Sequence, residues 1–257
     1  MAAATRGTRP GMKPSRRLTR LIVTLSLLPL AGACGGGHDT DSGGPRAEGA
    51  LRTQAPGDHL LIATDNGVRL RPADGHDVTV DHRVDAHWSY RDDVRTLDLS
   101  CDGDCPRMPY VDVPDGVDVT VTARNAGVDV AGVDGALDVT TVNGDVTATR
   151  SGSGHGTVRL ATRNGSVRAT GVAADRVHAA TVNGDVTVGC AAVPSAVTAT
   201  TVNGSVEVTV AHDSPAYRVT ATTDNGRATT ALPTRGADRD HGMTLTTVNG
   251  DVAARRE

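Results

Sequence analysis

The 257-residue chain contains no phenylalanine, and aromatic residues make up only 2% of it. A core without large rings must be narrow and lined by Val and Ala. Lysine is almost as scarce: Lys13 is the only one. The ten-residue apolar stretch Leu21–Leu30 is too short to span a bilayer as a helix. The formal charge is −4, yet the first 33 residues hold six basic residues and no acidic one. Beyond them stand 20 basic and 30 acidic residues, a net −10. A surface this acidic argues against nucleic acid as a partner.

What the chain has in abundance is one short phrase, Thr-Val-Asn-Gly-Asp-Val. It stands at 141–146, 181–186 and 247–252, with a one-residue variant at 201–206. Looser copies stand at 162–167 and 223–228, and a degenerate one at 123–128. The turn residues are Asn125, Asn143-Gly144, Asn164-Gly165, Asn183-Gly184, Asn203-Gly204, Asn225-Gly226 and Asn249-Gly250. The Asn spacings are 18, 21, 19, 20, 22 and 24 residues. A period near twenty residues marks a repeat architecture in which each repeat is one supersecondary unit.

The flanks repeat as well. Four residues before each Thr position stand Val119, Leu137, Val158, Val177, Val197, Val219 and Met243. Three residues after each Asn stand Val128, Val146, Val167, Val186, Val206, Ala228 and Val252. Polar residues alternate with them, the pattern of a half-buried strand on each side of a turn. The residue before Asn is Val in four copies but Arg124, Arg163 and Asp224 in the others, so that position is expected to face solvent. Asn-Gly can supply the positive φ that tight turns need. The spacing predicts an all-β solenoid with about twenty residues per coil and stacked Asn-Gly corners. The alternative is an antiparallel meander in which each Asn-Gly is a hairpin turn.

The first 33 residues read as a targeting segment. Arg6, Arg9, Lys13, Arg16, Arg17 and Arg20 form a basic n-region ahead of the apolar stretch. Leu30-Ala31-Gly32-Ala33-Cys34 resembles the lipobox of bacterial lipoproteins, with Ala31 where Leu is commonest. The resemblance implies diacylglyceryl on Cys34, cleavage before it, and anchoring to the outer face of the bacterial cell membrane. The other reading is an ordinary secretory signal with an incidental Cys. Ser15-Arg16-Arg17 resembles the start of a twin-arginine signal, so both export routes stay open. Residues 34–50, the acylated Cys and a Gly-rich run, form a flexible tether reaching roughly 20–25 Å.

Residues 51–257 make up the β-repeat domain, with an irregular part at 51–116 and the Asn-Gly repeats at 117–254. Within the irregular part, Leu60–Gly67 has the flank spacing of a further copy, and 77–80 and 94–99 are strand candidates. Cys101-Asp102-Gly103-Asp104-Cys105 follows. The pair fits a small disulfide loop in an oxidising compartment, a metal thiolate pair, or two free thiols. No nearby His/Cys pair completes a tetrahedral zinc set. Cys190 shares parity with Val186 and Val188 and reads as a buried small hydrophobe.

The lipobox, the strand region ending in a Cys pair, Val113-Pro114-Asp115-Gly116-Val117 and the Asn-Gly-Asp-Val run together resemble the actinobacterial branch of a β-strand-repeat family. That family is a domain of unknown function often labelled as adhesin-like. The resemblance covers roughly residues 51–257. It implies a right-handed β-solenoid-like fold, an exported location and no known catalytic residues.

Several groups invite a chemical reading. Asp145, Asp185 and Asp251 share one column with Ser166, Ser205 and Arg227, which is either a carboxylate site or a solvated face that alternates to avoid repulsion. His82, Asp85 and His87 cluster near Trp88 and Tyr90, a metal site or surface polar groups. Ser151-Gly152-Ser153-Gly154-His155 lacks the spacing of a nucleophile elbow and reads as a loop. Thr198, Thr200, Thr220, Thr222, Thr244 and Thr246 form an outward array that suggests ice or glycan binding, but Asp138, Arg159 and His178 interrupt it, which favours simple β-propensity. The expectation is a non-enzymatic, adhesin-like envelope protein with no cofactor and no metal, whose partner is an envelope protein or glycan. The alternative is a polysaccharide-active solenoid enzyme.

Overall fold

The structure, a computed structural model, describes residues 51–52, 59–91, 94–237 and 239–257. The expected signal segment 1–33, Cys34 and the tether lie outside the described residues. Among the described residues there is no helix. In chain order the strands are β1 (Leu51–Arg52), β2 (His59–Thr64), β3 (Val68–Pro72), β4 (Asp77–Val80), β5 (Asp85–Arg91), β6 (Val94–Ser100) and β7 (Tyr110–Val113). The regular repeats begin with β8 (Asp118–Ala123), β9 (Val128–Ala131), β10 (Leu137–Thr140), β11 (Val146–Thr149), β12 (Thr157–Ala161), β13 (Val167–Val172) and β14 (Arg176–Ala180). They end with β15 (Val186–Cys190), β16 (Ala196–Thr200), β17 (Val206–Val210), β18 (Arg218–Asn225), β19 (Ala228–Ala231), β20 (Gly242–Asn249) and β21 (Val252–Arg256).

These strands form one eleven-stranded and one ten-stranded sheet. Each repeat places one strand in each sheet, on either side of its Asn-Gly corner. Pairing runs between repeats and is parallel: Leu137 lies opposite Val119 and Val158, and Val146 opposite Val128 and Val167. Thr141 and Val146 flank a corner that joins two sheets, so the hairpin meander is excluded and the solenoid holds.

The parity of the sequence fixes what fills the tube. Val119, Leu137, Val158, Val177 and Val197 from one sheet meet Val128, Val146, Val167, Val186 and Val206 from the other, all buried. Each such Val contributes roughly 1.5–3 kcal/mol relative to exposure. Cys190 lies in the same core, and burial pushes its thiol up to about 12.

The coils do not stack in chain order. The coil of β2 and β3 sits between that of β6 and β7 and that of β8 and β9. At the other end, β20 and β21 insert between β16 and β17 on one side and β18 and β19 on the other. Residues 51–116 therefore supply two full coils and a cap to the same sheets. The cap is antiparallel: β5 closes on β6 and β4 on β7, with Val80, Val84 and Trp88 packed against the core. Buried Asp81 receives the Nε and Nη2 of Arg83 at 2.9 and 2.8 Å, and that hydrogen bonding holds its carboxyl below the usual range. Among the described residues, the end formed by β18 and β19 carries no such antiparallel cover. Ala228, at a core-facing position, is exposed there.

Candidate interaction face

The repeated corner is a structural device. Asn143 donates its Nδ2 to Asn125 Oδ1 at 3.2 Å, Asn164 to Asn143 at 2.8 Å and Asn183 to Asn164 at 2.8 Å. The ladder continues from Asn203 to Asn183 at 2.9 Å, Asn249 to Asn203 at 2.8 Å and Asn225 to Asn249 at 2.8 Å. Each amide side chain between the two ends of the ladder both donates and accepts, as stacked identical coils allow. The glycine that follows every corner Asn except Asn125 lets the coils touch. At Gly184 φ is 146°, and an added Cβ would fall 2.2 Å from the Gly165 carbonyl oxygen.

In four of the phrases the opening Thr is buried and donates its Oγ1 to a glycine carbonyl of the neighbouring coil. Thr162, Thr181, Thr201 and Thr247 reach Gly144, Gly165, Gly184 and Gly204 at 2.8 Å each. These carbonyls would otherwise be left without a partner inside the corner. The sequence did not reveal this bond, because Thr is also an ordinary strand residue.

The Asp column serves the same purpose. In space its order is Asp145, Ser166, Asp185, Ser205, Asp251 and Arg227, because β21 precedes β19. Asp145, Asp185 and Asp251 accept the backbone N–H of Ser166, Ser205 and Arg227 at 2.7–2.8 Å. Ser166 and Ser205 accept the amides of Asp185 and Asp251 at 3.4 and 3.3 Å. A serine coil separates successive aspartates by two strand spacings, about 9–10 Å. Three carboxylates do not converge there.

The position before Asn is mixed. Arg124, Arg163 and Asp224 are exposed, whereas Val142, Val182, Val202 and Val248 are half-buried. The four valines are therefore less open to solvent than the sequence led us to expect.

Other sequence candidates separate in space or face solvent. His82, Asp85 and His87 are exposed, and among the described residues no group of His, Cys, Asp and Glu is arranged to hold a metal. Ser151, read as a loop residue, is buried; its Oγ donates to the Thr149 carbonyl at 2.9 Å and accepts the Val133 amide at 3.3 Å. His155 is exposed in the loop before β12. Cys101 and Cys105 stand with Cα atoms 6.1 Å apart, a separation a disulfide spans.

With the corner committed to stacking, the broad faces carry the variable chemistry. The outer face of the eleven-stranded sheet is laced with ion pairs, Arg69 with Asp129 at 3.1 Å and Arg71 with Asp112 at 2.7 Å. The outer face of the ten-stranded sheet is different. One row across it reads Thr120, Asp138, Arg159, His178, Thr198, Thr244 and Thr220. The next row carries Thr200, Thr246 and Thr222 on three adjacent strands. The expected Thr array is thus a continuous grid of six, spaced about 4.8 Å across strands and 6.6–6.8 Å along them.

Beside the grid lie two shallow depressions of about 260 Å³ each, sharing Thr157 and Arg159. The first adds His59, Asp118 and Asp138; the second adds Arg176, His178 and Thr198. His59 Nε2 lies 2.8 Å from Thr120 Oγ1. Burial raises the Asp138 carboxyl above its usual value, against the pull of Arg159, whose Nε is 3.8 Å away. Burial, seconded by Arg159, lowers the His178 imidazole. The sequence placed Asp138, Arg159 and His178 in the outward column only as interruptions of the Thr array; parallel register makes them neighbours on adjacent strands.

The model of the Toastrack DUF4097 family matches residues 116–255. A crystal structure of a proposed cell adhesion protein from Clostridium sporogenes ATCC 15579 aligns at 7% identity and a TM-score of 0.37, covering 81% of this chain and 98% of that one. A proposed adhesin from Bacteroides fragilis NCTC 9343 aligns at 14% identity and a TM-score of 0.40, covering 81% and 95%. No curated protein matches the sequence. The family match spans more than half of the chain and takes in every Asn-Gly corner described above, and on that ground the protein belongs to the Toastrack DUF4097 family.

Proposed function

We propose that this is an exported, lipid-anchored, non-enzymatic interaction protein of the bacterial cell envelope, adhesin-like in role. The observation that carries the reading is the division of labour in the repeat. Every repeating polar group of the corner is engaged in coil-to-coil hydrogen bonds, while the ten-stranded face presents a flat Thr grid and shallow polar depressions. A flat polar face suits contact with an extended partner, an envelope protein or glycan. It offers no enclosed cleft of the kind a hydrolytic site needs.

The anchor in this reading is diacylglyceryl on Cys34, with residues 35–50 as the tether. Two acyl chains hold far better than one, each buried CH₂ contributing about 0.8 kcal/mol. An oxidising exterior also favours a Cys101–Cys105 bridge. Metabolic labelling with a fatty acid tests the anchor: wild type takes up label and Cys34→Ser does not. Equal labelling of the two overturns it. Co-sedimentation with cell-envelope fragments tests the face. Thr222→Arg and Thr198→Arg, which crowd the grid, reduce co-sedimentation at unchanged melting temperature. Unchanged co-sedimentation removes the face from the reading.

A further inference from the structure

We propose that the uncovered end of the solenoid, strands β18 and β19, pairs edge to edge with the same end of a second copy about a two-fold axis. The two ends of the tube differ in kind. One is closed by the antiparallel strands β4 and β5 and by Trp88. At the other, β18 and β19 are the terminal strands of their sheets, every residue of β19 is exposed, and Val219 and Ala221 are only half-buried. A parallel edge left open is a template for further strand pairing.

The hydrogen-bonding groups of β18 dictate how it pairs. The Arg218 amide donates to the His241 carbonyl at 3.0 Å, so the even-numbered residues of β18 bond inward to β20. The amides and carbonyls of Val219, Ala221 and Thr223 therefore point out of the sheet edge. In an antiparallel pair centred on Ala221, Ala221 meets the partner's Ala221 and Val219 meets the partner's Thr223. All three outward residues then find outward partners, on both strands. Centring on Thr220 or Thr222 leaves part of this set unmatched. A shift to an odd register turns every side chain to the wrong face.

Side chains agree with that same register. Arg218 falls opposite the partner's Asp224, and by symmetry Asp224 opposite the partner's Arg218. All four lie on the exposed face of the strand, where opposite charges directly across a pair are favourable. The Arg218 Nη2 already donates to the Arg239 carbonyl at 3.0 Å, which holds the guanidinium beside the strand and leaves its other N–H groups to the partner. Thr220 meets Thr222 across the axis. Val219, Ala221 and Ala228, at the mouth of the core, become covered. The axis also brings the open edges of β19 from the two copies together, with the outward amides of Ala228 and Thr230. Association closes at two copies, because the capped end cannot repeat the contact.

The test is a charge exchange in the full chain, read by sedimentation equilibrium in density-matched detergent. Wild type runs as a dimer. Arg218→Asp alone sets Asp against Asp at both sites, and Asp224→Arg alone sets Arg against Arg; each weakens association about tenfold or more. Mixing the two single variants restores the dimer, since one copy then offers only Asp and the other only Arg at these positions. The double exchange Arg218→Asp with Asp224→Arg restores it within one chain. A wild type that stays monomeric at 100-fold dilution and at full concentration alike overturns the proposal, as do single variants that dimerise like wild type. The mixture also guards against misfolding: a variant that had lost its fold would not be rescued by the other.

Discussion

The corner edge and the ten-stranded face are built by the same repeats, yet the repeats treat them oppositely. At the corner, Asn and Thr recur from coil to coil, and the Asn, Thr and Asp side chains bond to neighbouring coils in one repeated pattern. On the face, the equivalent position runs through Thr, Asp, Arg and His within four strands, with no shared bonding pattern. The corner shows what stacking demands of a side chain. The face shows what remains once that demand is met, and the proposed recognition rests on that remainder.

The sharpest way to break the comparison is to place charge inside the stack. Val206→Lys buries an unpaired ammonium in the core beside Val186 and Val252, and is expected to cost several kcal/mol and abolish cooperative melting. Its near neighbour Val202 is half-buried at the corner. Val202→Lys is expected to stay within about 0.5 kcal/mol, as surface changes usually do. Thermal unfolding of the two variants side by side checks this. Equal losses would mean that the corner is buried as deeply as the core.

Next in size is the glycine of the corner. Gly184→Ala drives a Cβ to within 2.2 Å of the Gly165 carbonyl oxygen at a φ of 146°, so the coils must part. A loss of about 2–4 kcal/mol is expected from strain and broken stacking. Denaturant unfolding measures it, and Gly154→Ala, where an added Cβ meets nothing within 4 Å, is the control. Smaller still is Thr201→Val. It keeps the shape but removes the hydrogen bond to the Gly184 carbonyl, leaving a buried acceptor unmet, and is expected to cost about 1–2 kcal/mol.

Much of this was legible in the sequence, for physical reasons. The Asn phase and the two-residue alternation define which side chains face the core, and the core follows them from Val119 to Val252. Cys190 fell into place by parity alone. The order of the coils was not legible. Repeats this similar make nearly equivalent sheet neighbours, so nothing local tells β16 to pair with β20 instead of β18. The 211–217 and 232–241 connections are long enough to permit the exchange. The face cluster was legible only as three interruptions of the outward Thr column: that Asp138, Arg159 and His178 line the two depressions depends on burial and side-chain approach, which periodicity does not give. Ser151 was read as loop because its partners, Thr149 and Val133, lie one turn of chain and one coil away.

The smallest expected change in stability carries the largest expected change in function. Thr222→Arg and Thr198→Arg alter exposed or half-exposed grid positions of the ten-stranded face, and Thr187→Arg makes the same change on the eleven-stranded face. The decisive measurement is co-sedimentation of these three variants and wild type with cell-envelope fragments, alongside their melting curves. The account predicts four nearly coincident melts, with retention lost for Thr222→Arg and Thr198→Arg and kept for Thr187→Arg. Retention lost only in Thr187→Arg, or kept in all four, would contradict the assignment of recognition to the ten-stranded face.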